Sequence, residues 1–269
     1  MTIKMIVSDL DGTLLDGAYR LSAENRAALQ EAAARGVLVT LATGRMFRSA
    51  ARYARELGLD SPVISYNGAL VQKMDGAVLE SSFLPPEVVT RTLRYIFSRG
   101  WYVQLYTTEG FFYAAETEAA RVYRSASGIA GEAVGESGLL ARAEGVPKLL
   151  VVAENPAQTA PVIGELTWAL SGEVDVMASN PTYIEIVRPG VSKAAAMLAI
   201  AKKRGIKAAE IMAMGDSGND MAMLRVAGLG VAMGNAGPDV QEAADTVTAR
   251  VEENGAALAV RRYVLGEEG

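Results

Sequence analysis

Two aspartates stand two residues apart in Val7-Ser8-Asp9-Leu10-Asp11-Gly12-Thr13-Leu14-Leu15. Carboxylates this close repel each other unless a cation sits between them. A second acidic pair, Asp216 and Asp220, stands four residues apart in Gly215-Asp216-Ser217-Gly218-Asn219-Asp220. Between the two pairs come Thr43-Gly44-Arg45, Asn67-Gly68 and Ser192-Lys193. A hydroxyl and free backbone N–H groups at a strand end and helix start make a phosphate cradle, which is the chemistry Thr43 and Gly44 could supply. Each group also has a plainer reading. Asp9 and Asp11 could belong to a solvated Asp-Gly turn, and Thr43 could cap a helix. Asp216 could be a cap and Asp220 a charge favouring a helix N-terminus. Asn67-Gly68 could be turn chemistry, and Lys193 a surface lysine set against a helix dipole.

What positions these residues is an alternation of short apolar runs and amphipathic stretches. Residues 3–8 read as a strand buried in a parallel sheet, ending at the first acidic pair. Ser22 can cap a helix to about residue 35, with Gly36 as its stop. Residues 37–41 are a second buried strand and 61–65 a third, with a helix at about 45–58 between them. Runs at 69–73 and 77–83 around Asp75-Gly76 read as a hairpin. A helix at about 192–204, a strand at 211–215, a helix from Met221, a strand at about 230–233 and a closing helix from about 255 complete the pattern. Acids therefore fall at the carboxyl ends of strands, where open α/β sheets bind ligands.

Leu84-Pro85-Pro86 and Arg188-Pro189-Gly190 break this pattern. Between them helices at about 86–99, 116–126 and 156–170 mix with strands at 101–106, 111–114, 148–152, 174–178 and 183–187, and both tryptophans lie there. Residues 128–145 are Gly- and Glu-rich and read as irregular with one short helix. Residues 85–189 are therefore expected to form a separate α+β domain, inserted into a core made of 1–84 and 190–269. The expected class is α/β, a doubly wound, mostly parallel Rossmann-like core with an inserted α+β domain.

Composition narrows the chemistry. The 269 residues contain neither Cys nor His, which excludes thiolate nucleophiles, Ser-His-Asp triads, phosphohistidine and Cys- or His-based zinc sites. A metal here must be a hard, oxygen-ligated ion, with Mg²⁺ the default. Acid/base work falls to Asp, Glu, Lys or Tyr. A net charge of −5 argues against nucleic acid as a partner, though not against a small anion held by local cations. No run approaches a membrane span and no signal peptide pattern opens the chain, so a soluble cytoplasmic protein is expected.

The segments Asp9–Leu15, Thr43-Gly44-Arg45, Gly190-Val191-Ser192-Lys193 and Gly215–Asp220 resemble, in order, the four motifs of the haloacid dehalogenase (HAD) superfamily phosphatases. Tyr66-Asn67-Gly68-Ala69 with a large insert resembles the Cof-type subfamily (type IIB), whose cap is of the C2B class. Two departures are Ala194, where glycine commonly follows the lysine, and Val251–Val260 in place of an Asp-Gly-Val ending. The resemblance implies an enzyme that hydrolyses a small phosphomonoester with Mg²⁺ through an aspartyl-phosphate. It implies Asp9 as nucleophile and Asp11 as general acid/base. Phosphate contacts fall to Thr43, Gly44, Lys193 and Asn219. Mg²⁺ ligation falls to Asp9, Asp216 and the backbone carbonyl of Asp11, with Asp220, Asn67 and Arg45 in support. Sugar phosphates are the family's usual substrates, with phosphoglycolate, pyridoxal phosphate and nucleotide phosphates behind them. The cap would select among them, and Tyr102, Gln104, Tyr106, Tyr113 and Arg121 are the candidates to face the crevice.

Three alternatives remain open at this level. A phosphotransferase or phosphomutase of the same superfamily would use a substrate hydroxyl in place of water. A receiver-type phospho-acceptor module also gathers acids, a Thr and a Lys around Mg²⁺, but is about half this length and lacks the second acid. A non-catalytic binder is disfavoured because every catalytic residue type is present. Oligomeric state is open, a homodimer included.

Overall fold

A strand buried on both faces needs apolar side chains on both, and Met5–Ser8 (β1) is buried at every position. The computed structural model, which describes residues 2–267 apart from Asn180, pairs it in parallel on either side. Ser22 caps Ala23–Ala34 (α1), its side chain accepting from the Asn25 N–H. Leu38–Leu41 (β2) and Phe47–Glu56 (α2) follow, then Val63–Ser65 (β3), Leu70–Gln72 (β4) and Val78–Ser81 (β5). The inserted segment contributes Pro86–Ser98 (α3), Val103–Tyr106 (β6), Phe111–Tyr113 (β7), Glu118–Ser127 (α4), Gly131–Ala133 (β8), Gly135–Leu140 (α5), Leu149–Val152 (β9), Pro156–Ala169 (α6), Asp175–Ala178 (β10) and Tyr183–Val187 (β11). The chain then returns through Lys193–Lys203 (α7), Ile211–Gly215 (β12), Met221–Val226 (α8), Leu229–Ala232 (β13), Pro238–Glu242 (α9), Thr246–Val247 (β14) and Gly255–Val260 (α10).

Contacts divide the chain into two compact units, Met1–Leu79 with Ser192–Gly269, and Glu80–Val191. The division falls a few residues from the proline breaks that mark it in the sequence, within β5 and just before α7.

In the first unit the parallel sheet runs β14-β13-β12-β1-β2. Ile6 of β1 joins a cluster with Leu29 of α1 and Ala257 of α10, whereas Met5 and Val7 join Met197 of α7 and Leu224 of α8 on the opposite face. Helices on both faces make the core doubly wound, as the alternation of elements predicts. From β1 the chain steps to β2 on one side and comes back at β12 on the other, so the strand order reverses at β1. Ligands bind at such a switch point, beyond the carboxyl ends of the strands. The third strand lies at the margin of this sheet. β3 pairs antiparallel with β4 and meets the end of β2 through a parallel bridge, Ala42 to Ile64.

The second unit holds a six-stranded sheet, β10-β11-β9-β6-β7-β8. One face packs Val103, Leu105, Leu149, Val151, Ile184 and Ile186 against α3 and α6. The alternate positions mix aliphatic side chains such as Leu150 and Val187 with polar and aromatic ones. Lys148 is buried and paired with Glu185 at 2.8 Å, with its ammonium over the Tyr106 ring. The Tyr106 hydroxyl donates to Gln104 Oε1 at 2.5 Å, and Gln104 Nε2 donates to the Tyr102 hydroxyl at 3.1 Å. Tyr113 is buried beside Phe111, while Arg121 is exposed on α4. The stretch read as irregular contains β8 as well as α5. β8 pairs parallel with β7, and a Cβ at Gly131 would overlap the Phe111 ring, so glycine is what lets this strand approach.

Candidate active site

Asp9 is the first residue beyond β1, and its N–H donates to the Met214 carbonyl of β12 at 3.0 Å. Its side chain is therefore delivered beside the loop after β12, which carries Asp216 and Asp220. α7 supplies the cation. Ser192 caps this helix through the Ala195 N–H, so Lys193 is its first residue. Lys193 is no surface lysine: it is buried, and its Nζ donates to Asp9 Oδ1 and to Asp220 Oδ1, each at 2.7 Å. Two carboxylates at that distance outweigh the helix dipole that opposes a cation in a first turn.

Asp220 is wholly buried and fully engaged. Besides Lys193 it accepts from the backbone N–H groups of Asp216 and Ser217, both at 3.1 Å, which folds the loop back on itself. Asp216 Oδ1 accepts from Thr13 Oγ1 at 3.0 Å, tying the first acidic loop to the second. Gly12 makes this approach possible. It has φ +79°, and a Cβ there would overlap the Asp216 carboxylate. Asn235 braces the same turn, its Nδ2 donating to the Gly12 carbonyl at 2.8 Å while its Oδ1 accepts from the Val251 N–H.

Asp11 takes a different partner. Arg45 donates from Nε to Asp11 Oδ2 at 2.7 Å and from Nη2 to Oδ1 at 2.5 Å, and its Nη1 donates to Ser49. Thr43 is buried at the end of β2, its N–H donating to Ile64 and its hydroxyl accepting from the Arg45 N–H at 3.1 Å. Gly44 lies between them on the same turn. Asn67 is buried in the turn after β3, its N–H on the Thr43 carbonyl at 3.0 Å and its Oδ1 accepting from Asn219 Nδ2 at 2.9 Å.

Carboxylate oxygens of Asp9, Asp216 and Asp220 lie within 4.8 Å of one another. Burial holds the Asp9 carboxyl well above the usual range; Lys193 opposes this, while the neighbouring carboxylates of Asp220, Asp216 and Asp11 add to it. Burial, with Asp220 close by, pushes Asp216 up to about 7. Burial alone would lower Lys193, but Asp220 and Asp9 overcome it and hold the ammonium above its ordinary value. One ammonium against three carboxylates leaves an excess of negative charge that a single divalent cation would neutralise. The donors are all oxygen, which suits a hard ion.

The structure thus joins Asp9, Lys193, Asp216, Asp220, Asn219, Asn67 and Thr43 through direct hydrogen bonds or adjoining backbone, and it places the Asp11 side chain on Arg45 rather than in the acidic trio. Sequence reading passed over Thr13, Ser217 and Asn235. Thr13 and Ser217 sit inside motifs already singled out, and Asn235 follows the strand end at β13 as Asn67 follows β3.

A parallel sheet with acids at its strand ends and a helix-borne lysine among them is the frame of a phosphoryl-transfer hydrolase. Residues 6–260 match the family pattern of the haloacid dehalogenase-like hydrolases. The chain is 34% identical, over 98% of its length and 96% of the relative's, to the 5-amino-6-(5-phospho-D-ribitylamino)uracil phosphatase YcsE of Bacillus subtilis. It is also 34% identical to the putative phosphatase YxeH of that organism, over 98% and 99% of the two chains. A haloacid dehalogenase-like hydrolase from Bacteroides thetaiotaomicron superposes with a TM-score of 0.86 at 29% identity, covering 97% and 99%. A HAD subclass IIB sugar phosphatase superposes with a TM-score of 0.85 at 26% identity, covering 97% and 98%. The chain belongs to the haloacid dehalogenase-like hydrolases, on their phosphatase branch.

Proposed function

We propose that this enzyme hydrolyses a small-molecule phosphomonoester through a phosphoryl group carried on Asp9, with Mg²⁺ held by Asp9, Asp216 and the Asp11 carbonyl. The observation that carries the reading is the Lys193 ammonium bridging Asp9 and Asp220 at 2.7 Å inside a buried acidic trio. Lys193 fixes the Asp9 carboxylate as a nucleophile, and Asp220 fixes Lys193 from behind. When bound, the cation would neutralise the clustered carboxylates and the incoming dianion.

In the first half-reaction an Asp9 oxygen attacks phosphorus, the P–O bond to the leaving group breaks, and protonated Asp11 gives its proton to the departing alkoxide oxygen. In the second, Asp11 takes a proton from water, the water oxygen attacks phosphorus, and the Asp9 carboxylate departs with orthophosphate released. Thr43, Gly44, Lys193 and Asn219 hold phosphoryl oxygens throughout. Arg45 holds the ionised Asp11 carboxylate through both oxygens, and would release one of them when it carries the proton.

The relatives' names point to phosphorylated polyols and sugars as the substrate class. Residues 80–191 are the segment proposed to choose among them. An aryl phosphate assay with and without Mg²⁺, followed by a panel of sugar, polyol and nucleotide phosphates, tests the reading. No turnover of any ester with Mg²⁺ present would refute it.

A further inference from the structure

The turn after β3 carries a feature that the proposed mechanism leaves unused. Asn67 is buried, its backbone is left-handed at φ 57°, and the preceding Tyr66 is left-handed too at φ 51°. Two consecutive residues with side chains in this region are costly and are retained where the surrounding structure demands them. The surroundings here are the proposed phosphate site. Asn67 N–H rests on Thr43, Asn67 Oδ1 on Asn219, and Gly68 lies so close to the Ser192 carbonyl that a Cβ would overlap it. Asn67 thus stands where the Thr43 turn, the start of α7 and the Asp216–Asp220 loop meet.

Hydrogen-bond polarity decides which way its amide points. Ser217 Oγ donates to Asn219 Oδ1 at 2.8 Å, so Asn219 presents Nδ2 to Asn67 and donates to its Oδ1. Turning the Asn67 amide over would set two N–H₂ groups against each other. Asn67 Nδ2 is therefore the group left over, buried and without an acceptor among the described residues. A buried donor left this way is a standing penalty that an arriving acceptor removes. A phosphoryl group brings only acceptor oxygens.

We propose that the Asn67 side-chain amide donates to a phosphoryl oxygen of the substrate, oriented for that task by Asn219 and Ser217. The proposal rests on the phosphatase reading above and adds a neutral donor to the charged Lys193.

The test compares wild type with Asn67→Gly and Asn67→Asp, each loaded with Mg²⁺. Glycine keeps the left-handed backbone without strain, and aspartate keeps the shape while replacing the donor by an acceptor. The readouts are competitive inhibition by inorganic phosphate, kcat and KM for an aryl phosphate, and Tm. Expected are phosphate inhibition and kcat/KM about tenfold weaker in Asn67→Gly and about a hundredfold weaker in Asn67→Asp, the worth of one neutral and one charge-opposed hydrogen bond. A lowered Tm with phosphate inhibition within twofold of wild type in both variants would overturn the proposal, leaving Asn67 as a turn residue or the partner of an ordered water. If Asn67→Gly does not fold, Asn67→Asp decides alone. A wild-type enzyme that neither turns over aryl phosphate nor is inhibited by phosphate would overturn the phosphatase reading itself, and this proposal with it.

Discussion

Arg45 grips both carboxylate oxygens of Asp11, Nε to Oδ2 at 2.7 Å and Nη2 to Oδ1 at 2.5 Å. The guanidinium is itself walled in, 5.0 Å from the Tyr19 ring centre and 5.6 Å from that of Tyr53. A fork on a fork sets the plane of the carboxyl as well as its position, which a lysine cannot do. Arg45→Lys should therefore lower kcat on an aryl phosphate by about ten- to a hundredfold, with KM little changed. Wild-type kcat in that variant would show that Asp11 needs no such guide.

The two opening acids should separate by chemistry. Asp9→Ala removes the proposed nucleophile, so no phosphoenzyme should form. Asp11→Asn keeps the shape but cannot move a proton, and turnover should slow by about 10²–10⁴-fold. With an aryl phosphate the first half-reaction needs little protonation, so Asp11→Asn should accumulate phosphate on Asp9. Mass spectrometry should show the added phosphoryl group, and hydroxylamine should remove it. Label on Ser, Thr or Lys would contradict the mechanism.

Metal and pH should be linked. The folded carboxyl of Asp216 stands at about 7 without metal, above the ordinary 3.8. Its native form keeps a proton that the unfolded chain has already lost, so its contribution to stability is complete below about pH 4 and is lost as pH rises through about 7. A divalent cation needs the ionised form. The Tm increase produced by Mg²⁺ should therefore grow from pH 5 to pH 8, and chelation should abolish activity until Mg²⁺ is restored. Ca²⁺ should restore it poorly because of its larger, looser shell. An Mg²⁺-induced Tm shift independent of pH would argue against these carboxylates as ligands.

Lys193 should matter for stability as well as turnover. Lys193→Met leaves Asp9 and Asp220 buried without their cation, a loss of about 3–5 kcal/mol. Urea denaturation of the metal-free protein at pH 7 measures it. The deficit should shrink at pH 5, because burial already favours the protonated Asp9 carboxyl and a lower pH favours it further. An equal deficit at both values would point to lost packing rather than lost charge.

The inserted unit has its own apolar cluster, from Leu84 to Ile186, separate from the two that flank the parallel sheet. Replacing residues 80–191 with a short Gly/Ser linker should leave a core that unfolds cooperatively and still binds Mg²⁺, with substrate selectivity lost. A core that cannot fold would show that the units depend on each other.

Much of this was legible in the chain because burial leaves a period in the sequence. β1, β2 and β12 are buried on both faces and read as largely apolar runs, and Ser22 announces α1 through its capping oxygen. β8 was not legible. It is three residues long, partly exposed, and held by what Gly131 permits Phe111 to do. The pairing of β3 with β4 was hidden for a similar reason, since periodicity marks a strand but not its neighbour or direction.

Residue types narrowed the chemistry from the outset. A chain without Cys or His, with acids at strand ends, has oxygen ligands and carboxylates to work with and little else. Tertiary structure alone decided which of these groups meet. Lys193 lies 184 positions from Asp9 and 27 from Asp220, and only the order β12-β1-β2, with α7 packed behind it, brings its ammonium to both. The same order sets Thr13 on Asp216, while the turn at Thr43-Gly44-Arg45 sets Arg45 on Asp11. Side-chain pairing across a sheet depends on register and strand order, and these come from the packing of whole helices, which no local pattern of residues encodes.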